Sequence, residues 1–385
     1  MDSNQNKVIL IGGNHHNGLG LVRSFGRKGI SPYGIIIGKD AEHSFVRKSR
    51  YWKKTWAVKD EETALKILLA NFDSERLKPM IIPWSDGAAE ALDLNYDLLK
   101  DIFILPSINE RQGAIVELMN KEAQIDFAEK RDLKMLTSRI IDIDHYQDAM
   151  LAFPIILKPV TSIEGGKNDM SICFDRDYYN KSIEKLKKKG FRRILAQKYL
   201  PDRKEYVLTG AISQKRYSFS VVRHIRQWPP KFGTGSFSET VTNKRIDSFC
   251  SDLLQKISEY GYRGTIDFEL FESDSGELFL NEINWRSSGR NFISKCTGVE
   301  SAYIYYCDCV GKDIKTEIVN KKHVYSMNDA TDFKHILNKD ITLKQWLSDL
   351  KKTESFSIWD LSDIKPSITR LNGMAVKALK GKVGL

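Results

Sequence analysis

Three polar residues recur at intervals of two in the stretch FLNEINWRSSG, residues 279–289: Glu282, Asn284 and Arg286. In an extended chain that spacing turns all three side chains to one face. A carboxylate, an amide and a guanidinium in a row on a half-buried face are costly without partners, so the row predicts a binding site. The preceding run GTIDFELFESDSGELFL reads as a hairpin with DSGE at its turn, and Asp267 and Glu269 share one face of its first strand. Such a hairpin can bring Glu269 close to Glu282. Two facing carboxylates repel, and one protonates unless a cation lies between them. A magnesium-like ion resolves the conflict, because two carboxylates and an amide are a typical protein share of its oxygen shell, with phosphate oxygens completing it. The alternative is a solvated strand edge with scattered charge. Three polar residues in register at the end of an apolar strand weigh against it.

A metal of that kind needs phosphate partners. Lys158 follows the apolar run PIIL and precedes Pro159, which puts its ammonium at the mouth of a strand. Beyond it, residues 161–168 contain Thr161, Ser162, Gly165, Gly166 and Lys167, a loop able to fold backbone amides over a phosphate chain. Many surface loops carry paired glycines, and the spacing is not that of a P-loop. The loop GGNHHNGLG, with His15 and His16, lacks the full dinucleotide fingerprint and reads as an exposed loop contact, with substrate contact as the rival.

The elements that must position these residues divide in two. The first third alternates strand and helix (KVILIGG, GLGLVRSFGRKG, YGIIIG, TALKILLANF, PMIIPWS, GAAEALDLNYDLLKD, IFILPS), which argues a parallel sheet with crossover helices. From about Glu110 the pattern becomes α+β. A broken, charged helical stretch leads to the strand FPIILKPV, the strand MSICF, the helix DRDYYNKSIEKLKKKG and the strand ILAQKYL. EYVLTGAI and RYSFSVVRHI read as antiparallel neighbours, IDSFCSDLLQKISEYG as a helix, and the hairpin closes the block. After Asp313, KQWLSDLKK reads as a helix and FSIWDLSDIKPS as an extended packing segment of unknown role.

Composition excludes several classes. The 385 residues are 41% hydrophobic and 29% charged, an ordinary globular balance that suits two or three compact units. No apolar run approaches the roughly 20 residues of a membrane-spanning helix, and MDSNQNKVILIGG enters a strand at once, so the expectation is a cytoplasmic protein. The five cysteines (173, 250, 296, 307 and 309) are scattered, odd in number and without zinc spacing. The net charge of +10 suits acidic partners. Its densest run, Lys185 to Lys189 with Arg192 and Arg193, reads as a solvated helix end rather than a nucleic-acid surface, since no aromatic platform accompanies it. The tail AVKALKGKVGL reads as an ordinary terminal segment.

Taken in order, Lys121, LKP at 157–159, the glycine loop, AQKYL, Glu205, DFE and NEINWR resemble the ATP-grasp superfamily, most closely its carboxylate–amine ligase and carbamoyl-phosphate-synthase-type members. The resemblance covers about residues 1 to 310. It implies an α/β pre-ATP-grasp domain over 1–112, a linker helix and small ATP-binding subdomain over 113–193, a large subdomain with the metal site over 194–312, and an extension over 313–385. It further implies that Lys121 and Lys158 contact ATP phosphates under a lid carrying Ser162, Gly165 and Gly166. The strand Gln197, Lys198, Tyr199 and Leu200 would read the adenine edge through its backbone, and Glu205 the ribose. Glu269, Glu282 and Asn284 would hold Mg2+, with Mn2+ as an alternative, and Arg286 the transferred phosphate. Bland readings stand beside these: core packing for the Tyr199 and Leu200 side chains, surface charge for Glu205 and Lys121, and a structural role for Asp267.

The segment RHIRQWPPKFGTGSFSET is similar to one in a branch of ATP-grasp carboligases. Arg223 and Arg226 are three apart and face opposite sides of a strand unless the segment bends, so one of them, Arg223, is assigned to substrate or the γ-phosphate. The implied chemistry is an acyl-phosphate formed from a small anionic carboxylate and ATP, then attacked by an amine acceptor. An amino acid, a peptide or a cell-wall precursor, as in the related D-aspartate ligases, suits the acid. A carboxylase using bicarbonate, a non-catalytic ATP-binding module and a nucleic-acid-binding protein are the rivals, and a homodimer is one expected assembly.

Overall fold

Aliphatic residues fill both faces of the first strands, as a sheet covered on both sides requires. The computed structural model describes residues 5–148, 151–160, 169–230 and 233–373. Strands β1 (Val8–Gly13), β2 (Tyr33–Ile37), β3 (Lys54–Val58) and β4 (Met80–Pro83) form a parallel sheet in the order β3-β2-β1-β4. Val8 and Leu10 pack with Leu21, Phe25 and Trp84 on one side, and Ile9 and Ile11 with Leu68, Phe72 and Leu92 on the other. The crossover helices are Asn17–Arg27, Glu61–Phe72 and Asp86–Leu94. Two of them start where expected from side-chain caps, Asp60 accepting from the Thr63 amide and Ser85 from the Ala88 amide. The segment IFILPS yields only a bridge from Ile104 to Met80 and the two-residue strand β5 (Ser107–Ile108), which pairs with a different sheet.

The chain gathers into two units. Met1–Ile115, Leu208–Asp267 and Asn284–Leu385 make the first; Val116–Val207 and Phe268–Ile283 make the second. The second holds an antiparallel sheet of β6 (Ser138–Asp142), β7 (Ile155–Pro159), β8 (Ser171–Cys173) and β9 (Arg193–Lys198), ordered β6-β9-β7-β8. Helix Arg176–Lys188 lays Tyr179, Ile183 and Leu186 on Ile155, Leu157, Ile194 and Ala196. Its last turn carries Lys185, Lys187 and Lys188, where cations complement the helix dipole.

The largest sheet is built from β10 (Lys204–Ile212), β11 (Tyr217–Trp228), β12 (Thr234–Thr240), β13 (Tyr262–Glu272), β14 (Leu278–Asn284), β15 (Tyr325–Met327) and β16 (Thr353–Phe356), ordered β14-β13-β10-β11-β12-β15-β16, with β5 on β13. The segment after residue 313 is therefore part of the architecture: β15 pairs antiparallel with β12 and β16 parallel with β15. A buried pair, Arg23 Nε to Asp363 Oδ2 at 2.9 Å, ties the same segment to the first crossover helix. In chain order a parallel α/β layer is followed by an α+β block, the sequence of element types that was expected.

Candidate functional site

In the second unit, Lys158 projects from the end of β7, and its Nζ donates to Gln197 Oε1 at 2.8 Å. The Gln197 amide in turn donates to Ser138 Oγ at 3.0 Å. Lys121 opens its helix behind the cap Asn120 and donates to the Pro159 carbonyl at 3.3 Å. Glu269 accepts from Asn281 Nδ2 at 3.1 Å, and Asn281 Oδ1 is buried without a hydrogen-bond partner among the described residues. Lys121, Lys158, Gln197, Asn281 and Glu282 line one narrow cavity of about 20 Å³, enough for a single water. Burial pushes the Lys158 ammonium down to about 8; Glu282 and Glu269 pull it back up, and Lys121 presses it further down. Lys121, Lys158, Gln197, Glu269 and Glu282 are thus one electrostatic group.

The strand expected to read adenine has part of its backbone in use. The amide of Lys198 donates to the Thr137 carbonyl and that of Tyr199 to the Pro154 carbonyl, both near 2.9 Å. Leu200 presents its carbonyl to Arg203 Nη1 at 3.0 Å. Arg203 also pairs with Glu205 at 2.5 Å and stacks over Tyr199 and Phe271. Ser162, Gly165 and Gly166 lie outside the described residues.

In the first unit, Asn284 donates to Asp267 Oδ1 at 3.4 Å and accepts from Arg286 Nη2 at 3.2 Å. Arg286 also pairs with Asp86, the first residue of a crossover helix, at 2.9 Å. Burial raises the Asp267 carboxyl to about 6, against the pull of Arg286 and hydrogen bonds from Ser288 and Thr209. Asp267 accepts from Thr209 Oγ1 at 3.2 Å, which supports the structural reading of that carboxylate.

The Arg223 segment bends. The β11–β12 register slips between His224 and Arg226, pairing Arg223 with Glu239 and Arg226 with Phe237, so the bulge brings the two arginines to one face. Arg223 is engaged by Glu239 at 2.9 Å, and Arg226 by Asp332 at 2.8 Å and Asp349 at 2.5 Å.

Among the described residues no group of three or more His, Cys, Asp or Glu is arranged to hold a metal. The expected donors are of a different make, and the two in the second unit, the Glu269 and Glu282 carboxylates, are of the oxygen type that suits a hard cation. The Glu282 carboxylate makes no hydrogen bond or close ion pair among the described residues and acts on Lys158 through its charge.

Sequence reasoning passed over Asn281, His224 and Arg290. Arg290 is a buried arginine one residue past the glycine of the opening stretch, and nothing in the one-dimensional pattern separates it from a surface charge.

No family model matches the chain. It is 25% identical over 193 residues to a D-alanine--D-alanine ligase of Sulfurimonas denitrificans, covering 48% of this chain and 55% of that protein. It is 28% identical over 213 residues to the D-alanine--D-alanine ligase of Helicobacter hepaticus, covering 51% and 59%. The matches thus span little more than half the length of these relatives. The N5-carboxyaminoimidazole synthetase of Staphylococcus aureus shares the fold with a TM-score of 0.65 at 17% identity, covering 88% of each chain. With the parallel α/β layer and the two further sheets, the chain has the fold of ATP-grasp enzymes and resembles ligases of that superfamily in sequence.

Proposed function

We propose that the protein is an ATP-dependent carboxylate–amine ligase. A carboxylate substrate attacks the γ-phosphate of ATP, its oxygen forming the new bond to phosphorus as the bond to ADP breaks. The amine acceptor then adds to the acyl carbon, phosphate leaves, and the amine proton passes to solvent. Catalysis of this kind is positioning and charge compensation. The single observation that carries the reading is the desolvated Lys158, held by Gln197 and flanked by Lys121, Glu269 and Glu282. An ammonium so placed is prepared for a polyanion, and in this reading Lys121 and Lys158 bind the ATP phosphates. Glu269, Glu282 and Asn284 would hold Mg2+, or Mn2+, which supplies countercharge to the nucleotide. Arg286 orients the transferred phosphate. Names of the two ligase relatives support amide formation with an amino-acid acceptor.

The test is an ADP-release screen over panels of acids and amines, with wild type and Glu282→Ala. The expected result is Mg2+-dependent, acid-stimulated ADP release that the substitution abolishes; equal turnover in the variant overturns the assignment of Glu282. A second reading, ATP-dependent carboxylation with bicarbonate as the acid, is favoured by the fold shared with the carboxyaminoimidazole synthetase. Bicarbonate-stimulated ADP release without any amine requirement selects it. Intact ATP binding with no turnover on any acid selects a non-catalytic module.

A further inference from the structure

Most interior arginines of the first unit are paired with carboxylates among the described residues. Arg23 is held by Asp363, Arg27 by Asp360, Arg216 by Asp308, Arg223 by Glu239 and Arg226 by Asp332 and Asp349. Arg290 is 8% exposed and has no ion pair among the described residues. Both of its side-chain hydrogen bonds leave from Nη2, to the Gly235 carbonyl at 2.6 Å and to His224 Nε2 at 3.3 Å. A buried guanidinium with five donors and only neutral partners is under-compensated. The carboxylate that acts on it, Asp267, is itself raised to about 6 by burial, and Arg290 is lowered to about 10 by its own burial.

Two glycines let the surrounding side chains close in around this guanidinium. A Cβ on Gly235 would lie 2.3 Å from Arg290 Nη2 and 2.4 Å from the His224 ring, so any larger residue there displaces both side chains. On the neighbouring residue, a Cβ on Gly289 would lie 2.6 Å from Asn17 Oδ1 and 3.2 Å from His16 Nε2. Burial, then His15 and Arg290, hold His16 well below the ordinary imidazole value, so it is neutral and adds no competing cation. Asn17 Oδ1 is buried without a hydrogen-bond partner among the described residues. The region continues into the Arg286 cluster: the Arg290 amide donates to Ser288 Oγ at 3.1 Å, Ser288 touches Thr209, and Thr209 bonds Asp267, the partner of Asn284.

We propose that Arg290, with His224 beside it, binds a second anionic group of the substrate, one that takes no part in bond formation. The assignment rests on the ligase reading and narrows it. The acid or its acceptor carries an additional carboxylate or phosphate, and the shared chemistry is an oxyanion accepting from a forked guanidinium. Arg286 and Arg290 then divide the work, the first for the reacting centre and the second for recognition.

The experiment uses the full chain saturated with ADP and Mg2+, so that the α- and β-phosphate positions are filled. Succinate, inorganic phosphate and uncharged succinamide are titrated by calorimetry into wild type, Arg290→Gln and Arg290→Lys. Wild type is expected to bind succinate or phosphate, the tighter of the two naming the anion class, and to ignore succinamide. Arg290→Gln should weaken that anion by about tenfold or more, the size of a lost charge-assisted contact. Arg290→Lys should retain part of it, and ADP affinity should be unchanged in both. Binding of neither anion by wild type, equal binding by Arg290→Gln, or equal binding of succinamide overturns the inference. Failure of wild type to bind ADP overturns the nucleotide reading instead. Should Arg290→Gln not fold, His224→Gln replaces it, with at least about a threefold loss expected from one missing neighbouring contact.

Discussion

Lys158 and Gln197 are joined across neighbouring strands, Nζ to Oε1 at 2.8 Å, and that bond gives the lysine its direction. Lys158 lies opposite Leu195 in the β7–β9 register and Gln197 opposite Ile156, so the contact is a diagonal on one sheet face. A buried ammonium without an acceptor swings away or loses its proton. Gln197→Leu keeps the volume and removes the acceptor. The expected effect is an approximately tenfold rise in the ATP KM, the scale of a hydrogen bond to a charged group, with the melting temperature changed little. An unchanged KM would leave Gln197 as packing alone.

Glu282 and Asp267 are predicted to separate in behaviour. Glu282→Gln keeps the shape but removes the charge that acts on Lys158, so half-maximal activation should require about tenfold more Mg2+ or greater. Asp267→Asn removes a carboxylate that burial already disfavours, so its effect should fall on stability, within about 1–2 kcal/mol. Metal titrations of ADP release, with urea unfolding of both variants, distinguish the two; reversed results would exchange their roles.

Asp349 supplies a pH dependence of stability. Burial raises its carboxyl, but hydrogen bonds from Lys352, Arg226 and Gln345 outweigh that, and the net shift is downward. A folded-state value below the unfolded one, about 3.9, means the unfolded chain binds the proton more readily. Its stabilisation is therefore complete above about pH 5 and is lost as pH falls through the folded value. The melting temperature of wild type should drop steeply below about pH 4. Asp349→Asn should be less stable at pH 7 by about 1–3 kcal/mol and show a shallower acid slope. Parallel slopes in the two proteins would remove Asp349 from the acid transition.

Arg23 and Asp363 are each nearly inaccessible, and Asp363 also accepts from Ser49 Oγ at 2.7 Å and the Arg50 amide at 2.8 Å. Asp363→Ala strands a buried guanidinium and should cost about 3–5 kcal/mol. Adding Arg23→Met to that variant should recover part of the loss but not all of it, because Ser49 and Arg50 still lack their acceptor. A double variant less stable than Asp363→Ala would show that the guanidinium contributes through its bonds to the Ile358 and Asp363 carbonyls, at 2.8 and 3.1 Å.

What the sequence disclosed and what it withheld follow from the range of each interaction. The parallel strands were legible because ILIGG and GIII are apolar on both faces, while KTWAV, half-exposed at the sheet edge, gives no such run. The strand carrying Glu282 and Asn284 was legible from its period, and Arg286 follows just beyond its end. The partners of Arg223 and Arg226 were not, because a bulge alters that period and Asp332 and Asp349 lie more than a hundred residues away. Gln197 was assigned through its backbone, and its side-chain bond to Lys158 depends on a cross-strand diagonal that no local pattern encodes. Arg290 is distinguished by burial without an ion pair among the described residues, a property of three-dimensional neighbours.

The late pairing of β15 and β16 bears on how the polypeptide is made. Strand β12 leaves the ribosome roughly ninety residues before its outer neighbour β15, Tyr325–Met327, has been synthesised. For that interval one edge of the nascent sheet is bare, the condition under which strands add to the wrong chain. Ser236, Ser238 and Thr240 along β12 give that waiting edge a polar character. A translation product that stops short of residue 325 keeps the edge open permanently, and such fragments should be cleared or aggregate rather than persist beside chains that carry β15.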